Sequence, residues 1–221
     1  MTNSVKLISV SKPTIEGLNT SSELLAYCAR VSNPTNQMNK ETSGKLLSYC
    51  IKNKHWSIFE MVHMTMEITT TRDIARQILR HRSFSFQEFS QRYAVAENFV
   101  TREARMQDTK NRQNSLETDD EILQRAWQIR QEHILENVQS SYDWALKNGI
   151  AKEQARAILP EGLTESRLYM AGNLRSWIHY VQLRTSNGTQ KEHREIAEQC
   201  QKIIGLEFPE ILDALSAVSE G

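Results

Sequence analysis

Residues 62–69 carry the clearest pattern in the chain. Val62, Met64, Met66 and Ile68 alternate with His63, Thr65, Glu67 and Thr69, and a period of two predicts a half-buried strand. Residues 5–10 alternate more weakly and predict an opening strand. Elsewhere the period lengthens. Ser21 or Ser22 can cap a helix that runs through Leu24, Leu25 and Cys28 and ends before Asn33-Pro34. A second helix is expected over residues 41–53. Thr71 or Asp73 then starts a short helix with Ile74, Ile78 and Leu79 on its apolar side, running directly into residues 80–82. From Glu121, apolar positions such as Ile122, Ala126, Ile129, Val138, Tyr142 and Ala145 recur at helical spacing until Gly149. A short helix is expected over 154–159 before Pro160, another over 164–183 ahead of the Asn187-Gly188 break, and a last one over 191–204. Residues 106–120 are polar and nearly free of apolar positions, which predicts a surface loop. There is no internal repeat, helices dominate and strands come early, so the class is α+β.

Composition narrows the options. A chain of 221 residues suits one large domain and is long enough to bury a real core. Its 27 basic and 27 acidic residues cancel, whereas proteins that rely on bulk attraction to nucleic acid carry a basic excess. Any anion site must therefore be local. Cys28, Cys50 and Cys200 lack CxxC spacing, which argues against disulfide and zinc frameworks and for buried thiols. The first ten residues lack the charged start and long apolar run of a signal peptide, and no stretch approaches a membrane span. A cytosolic chain is expected, with no membrane or nucleic-acid partner. The sequon at Asn187-Gly188-Thr189 then carries no weight.

Within that neutral chain, residues 80–93, RHRSFSFQEFSQRY, concentrate charge and aromatics. Arg80 and Arg82 would point about 200° apart on a helix but share a face in extended chain. Extension would also align Glu88, Ser90 and Arg92, whereas a helix would leave only an exposed Glu88–Arg92 pair worth about 0.3–0.5 kcal/mol. Guanidinium forks match phosphate oxygens and aromatic rings stack on planar ligands, so the stretch suits a nucleotide or phosphorylated cofactor. The rival reading is a single-stranded nucleic-acid module that stacks bases on Phe84, Phe86, Phe89 and Tyr93; neutral net charge and Glu88 weigh against it. Ser90 has no sequence partner with the logic of a nucleophile, and neither GxGxxG nor a Walker loop is present.

A second cluster, NLRSWIHYVQLR at 173–184, reads as a helix with two polar faces. Asn173, Trp177, Tyr180 and Arg184 fall within about 40° of one line, Arg175 and His179 form an i,i+4 pair, and Asn173 and Arg184 would lie ~16 Å apart. Such a helix can border two ligands; a solvated helix with snorkelling arginines is the alternative. KHWSIFE at 54–60 places His55 and Glu60 just before the strand. The histidine spacing does not suit a metal.

Together these blocks resemble the flavin-dependent thymidylate synthases. RHRSFSFQEFS matches the family signature of RHR, seven residues and Ser, and ARVS at 29–32, KHWSIFE, ARAILP at 155–160 and NLRSWIHYVQLR follow in the family's order. The resemblance covers roughly residues 20–205 and implies one domain over 1–221 with the fold of thymidylate synthase-complementing proteins. In that fold a mainly helical chain packs on a small, largely antiparallel sheet. It implies methylation of dUMP to dTMP, with methylenetetrahydrofolate giving the carbon, tightly bound FAD giving the hydride and NADPH reducing the flavin again. It also implies a homotetramer with active sites between subunits, in a bacterial or phage-infected cytosol. Carried over by position, Ser32, Ser57, Arg80, His81, Arg82, Glu88, Asn173, Leu174, Arg175 and His179 resemble FAD contacts. Gln77, Arg80, Glu88, Phe89, Ser90, Gln91, Arg92, Arg156 and Arg184 resemble the dUMP site. Arg184, His55 and Ser90 resemble catalytic groups: Arg184 to stabilise a uracil anion, His55 to assist catalysis or flavin positioning, Ser90 as a hydrogen-bonding ligand rather than a nucleophile. Gln87 stands where the family usually has Asn. The three cysteines lack the Pro-Cys-His context of the cysteine-dependent synthase.

Overall fold

The computed structural model describes residues 3–211; the ends of the expected domain, 1–2 and 212–221, lie outside the described residues. The order is β1 (Ser4–Val10), α1 (Ser21–Ala29), α2 (Ser43–Lys52), β2 (His63–Thr71), α3 (Arg72–Ile78), β3 (Ser85–Glu88), β4 (Met106–Gln107), β5 (Ser115–Leu116), α4 (Glu121–Lys147), α5 (Lys152–Ala155), β6 (Glu165–Asn173), α6 (Leu174–Arg184) and α7 (Lys191–Glu207). Four strands form one antiparallel sheet in the order β1-β2-β6-β3. The α+β expectation and its small antiparallel sheet hold.

The alternation in β2 does what its period predicts. Met64, Met66 and Ile68 are buried against α6 and α7, while Thr65, Glu67 and Thr69 face the polar side. Leu25, Leu47 and Ile51 close the same core from α1 and α2. The cap of α1 is one residue earlier than expected. Thr20 and Glu23 form a reciprocal capping box, and Ser21 and Ser22 lie inside the helix. Cys50 and Cys200 are buried thiols, whereas Cys28 is only half-buried.

The largest departure is at 164–183, where one helix was expected. Glu165–Asn173 is a strand, and only Leu174–Arg184 is helical. The strand pairs with β2 along nine residues, from His63 opposite Asn173 to Thr71 opposite Glu165, and with β3 on its other edge. Its inward positions are Ser166, Leu168, Met170 and Gly172. Two of those four are not apolar, which hides the period of two. Met170, Leu174, Trp177 and Val181 meanwhile satisfy helical spacing. Pairing on both edges overrides the local pattern.

Two further expectations change. Residues 106–120 contain the β4–β5 hairpin, although they stay at the surface. Polar side chains hold it: Arg105 donates to Ser115 O at 2.7 Å, and the Asp108 carboxylate accepts from Lys110 N at 2.8 Å and Asn111 N at 3.1 Å. Those bonds, Lys110 first, hold the Asp108 carboxyl below its usual range. Residues 80–84 are a turn, not extended chain. Arg80 N bonds Gln77 O, His81 N bonds Ile78 O at 3.0 Å and Phe84 N bonds His81 O at 3.3 Å, so successive three-residue turns follow the end of α3. Extension begins only at Ser85 and gives way to another turn after Ser90.

Candidate active site

The turn after α3 brings its charges against the end of α6. Arg184 is the last residue of α6, and its Nε donates to His81 Nε2 at 2.9 Å. His81 therefore holds its proton on Nδ1. Its ring meets the Tyr180 ring edge-on at 4.9 Å. Behind it, His193 on α7 contacts Tyr180 Oη and Gln77 Oε1, each at 3.2 Å, and Gln77 donates to Gln190 at 2.8 Å. Burial, then the Arg184 and Arg80 charges, push His81 down to about 4. Burial, then Arg184 and His81, push His193 down to about 3. Both rings are neutral beside a fixed cation.

These shifts have a consequence for stability. An unfolded histidine titrates near 6.5, so between pH 6.5 and about 4 the unfolded chain binds protons that the fold refuses. The stabilisation is complete above pH 6.5 and is lost as pH falls through that window. Urea midpoints measured from pH 7.5 to 4.5 should fall less steeply for His193→Asn than for the parent chain. Equal slopes would remove His193 from the account.

Helix α6 does not offer two polar faces. Trp177 and Tyr180 are fully buried, and Trp177 Nε1 donates to Met64 O at 3.2 Å. That side is core because β6 and β2 lie beneath it. Asn173 is the helix cap, its oxygen accepting from Ser176 N at 2.9 Å. Leu174 is fully buried and gives its N–H to Val62 O, so it seats its neighbours rather than presenting a side chain. Arg175 and His179 do share the outer face. Arg175 pairs with Glu60, and the His179 ring lies 4.9 Å from Trp56. Burial, then Arg175, lowers the His179 pKa. His55 and Ser57 sit exposed beside this pair on the turn Trp56–Glu60, with His55 edge-on to Tyr49 at 5.8 Å. Ser32 is exposed just before the Pro34 turn.

A third group gathers where β3 ends. Glu88 accepts from Ser166 Oγ at 2.9 Å and pairs with Arg72 at 3.4 Å. Phe89 N continues the pairing to Arg167 O at 2.8 Å. Ser90 is half-buried in the turn, with no histidine or carboxylate bonded to its hydroxyl among the described residues. Gln91 is 3% exposed, and its Nε2 has no partner among the described residues. It lines a cleft of about 510 Å³ with Arg72, Arg76, Glu153, Arg156 and Glu161. A buried amide nitrogen left unsatisfied costs ~1–3 kcal/mol, and a ligand oxygen in this cleft would satisfy it. Arg92 pairs with Glu153 at 3.4 Å and Arg76 with Glu161. The cleft contains none of the residues at 80–82 or 173–179, so one chain presents three separate groups.

Their charge state sorts the arginines. Arg92 and Arg175 are neutralised by carboxylates. Arg80, Arg82, Arg156 and Arg184 have none within 4.0 Å among the described residues. The strip does not suit base stacking: Phe84 is buried on Trp177, and Phe86 packs on the core.

Residues 15–210 match the family model described as thymidylate synthase complementing protein. The chain is 56% identical over 216 residues to a probable flavin-dependent thymidylate synthase of Paramecium bursaria Chlorella virus 1, covering 97% of this chain and all of the relative. It is 55% identical over 214 residues to the flavin-dependent thymidylate synthase of Synechocystis sp., covering 96% and 98%. The chain belongs to the flavin-dependent thymidylate synthase family. The crystal structure of a UMP/dUMP methylase, PolB from Streptomyces cacaoi, bound with 5-Br dUMP superposes with a TM-score of 0.82 at 26% identity, covering 97% of this chain and 95% of that one.

Sequence reasoning missed Arg72, Arg76, Tyr180 as a polar group, Gln190 and His193. Arg72 and Arg76 stand at i,i+4 just before the signature, a signal that was legible. Gln190 and His193 lie 113 and 116 residues from Gln77, and no spacing announces that contact.

Proposed function

We propose that this chain converts dUMP to dTMP by reductive methylation, taking the carbon from methylenetetrahydrofolate and using FAD that NADPH re-reduces. The observation that carries the reading is that Arg80, Arg82, Arg156 and Arg184, all within the matched family blocks, have no acid partner among the described residues, together with the Gln91 amide nitrogen left without a partner there. Such groups suit two phosphorylated ligands: a monophosphate by Arg156 and Gln91, and a dinucleotide by Arg80 and Arg82. Bound FAD supplies the hydride. The protein's part is to bind, orient and stabilise charge. Glu88, held by Ser166 and Arg72, and Ser90 form the polar floor for the nucleotide, with the Phe89 backbone and Arg92 beside it. Arg184 stabilises negative charge on the uracil ring. Trp56 and His179, with His55 and Ser57 on the adjoining turn and Arg175 one helical turn away, offer an aromatic wall for the flavin, with Ser32 and Asn173 as further polar contacts.

The separate groups within one chain support a homotetramer whose sites lie between subunits. Helix α4 buries only Gln131, Tyr142 and Ala145 along 27 residues, and it exposes Ile122, Trp127, Ile134 and Trp144, apolar surface that a second copy would cover. No helix among the described residues is long and apolar enough to cross a membrane.

The deciding experiment is NADPH oxidation with added FAD and methylenetetrahydrofolate, with and without dUMP. Oxidation that requires dUMP and yields dTMP in equal amount is expected. Oxidation indifferent to dUMP, with no dTMP, would overturn the reading.

A further inference from the structure

Helix α7 buries Ile196, Ala197, Cys200 and Ile204, and its first core position is a fully buried histidine, His193. An apolar side chain would fill that position at lower desolvation cost, so the bonds of the ring carry its meaning.

The polarity of those bonds is set from one end. A carboxylate oxygen only accepts, so the 2.9 Å contact to Glu192 Oε2 comes from Gln190 Nε2. Gln190 then turns its Oε1 to Gln77, which donates Nε2–H at 2.8 Å. Gln77 Oε1 is left facing His193 Nδ1 at 3.2 Å. An amide oxygen only accepts, so Nδ1 carries the proton and Nε2 must accept. The Tyr180 hydroxyl donates to it at 3.2 Å. Burial holds that phenol protonated, its pKa well above the ordinary value. The chain thus runs one way, from Tyr180 on α6 through His193 and Gln77 to Gln190 and Glu192 at the start of α7.

We propose that His193 is a positioning residue for nucleotide binding, fixing the Gln77 carboxamide so that one Nε2 hydrogen and one Oε1 lone pair face the ligand in a set order. The inference rests on the assignment of Gln77 to the dUMP site. Its physical basis is pre-organisation: an amide already held need not be ordered on binding. Without the imidazole the amide rotates or flips, and the nucleotide must order it.

The test is the dUMP dissociation constant of the FAD-loaded protein by equilibrium dialysis, with kcat at saturating dUMP, flavin content and melting temperature alongside. His193→Phe should weaken dUMP binding by roughly 3- to 10-fold, the cost of ordering one side chain, with flavin content and saturated kcat nearly unchanged. His193→Asn, whose amide reproduces the Nδ1 donor, should restore most of the affinity. Gln190→Leu, at a half-buried position that does not tax the core, cuts the same chain and should match His193→Phe even if that variant folds poorly. In a Gln77→Ala background neither change should weaken binding further. Equal weakening in that background would overturn the proposal, as would parent-like affinity in Gln190→Leu and His193→Phe when Gln77→Ala binds poorly. If Gln77→Ala binds dUMP as the parent does, Gln77 is no nucleotide contact, and that assignment falls along with the inference built on it.

Discussion

Arg184→Ala is expected to lower dTMP formation by roughly 10²- to 10³-fold, the range for removing one preorganised group that stabilises developing negative charge. Reduction of the bound flavin by NADPH should change far less. The asymmetry follows from where Arg184 stands. Its guanidinium is half-buried, has no carboxylate partner among the described residues, and faces a histidine that cannot share its charge because burial keeps that ring neutral. A cation held this way costs the fold something and is best satisfied by an anionic ligand. Stopped-flow measurement of the two half-reactions separates the cases. Equal loss in both, with a lower melting temperature, would make Arg184 a structural partner of His81 only. Arg184→Lys keeps the charge but loses the planar fork and the Nε donor to His81, so it should recover only part of the methylation rate.

Gly172→Ala should lower the melting temperature by roughly 3–10 °C, from an overpacking cost of about 1–3 kcal/mol in a chain of this size. A Cβ at Gly172 would lie 2.5 Å from Phe84 Cδ1 and 2.8 Å from Cε1. The ring cannot step aside, because it packs edge-on against Trp177 at 4.8 Å and near Tyr180 at 6.1 Å and Phe86 at 6.3 Å. Phe84 also anchors the turn that carries Arg80 and Arg82, so the variant should retain less flavin as purified. The double variant Gly172→Ala, Phe84→Leu frees space under the new methyl and should regain part of the stability. An unchanged melting curve for Gly172→Ala would mean that the ring is not wedged.

Patterns set by neighbours in sequence were legible. The alternation of β2, the start of α3 at Thr71, the long helix from Glu121 and the end of α6 all emerge from periodicity, capping and breakers. Strand β6 did not, because its inward face includes Ser166 and Gly172, whose fit depends on what lies across the sheet. Residues 80–84 misled for a related reason. Alternating arginines suggest extension, but three-residue turns closing on α3 and on His81 hold the segment compact.

The candidate site divides along the same line. RHRSFSFQEFSQRY and its companion blocks determined the family, and with it the residue types proposed to meet phosphates and a flavin. They could do so because a binding chemistry needs particular groups at short spacing along the chain. Which guanidiniums stay unpaired was decided only by the fold. Arg92 meets Glu153 and Arg175 meets Glu60, 61 and 115 residues away, while Arg184 meets a neutral His81 instead of an acid. Charge neutralisation and hydrogen-bond direction depend on distances of a few ångströms between segments far apart in sequence, and only packing brings those segments together.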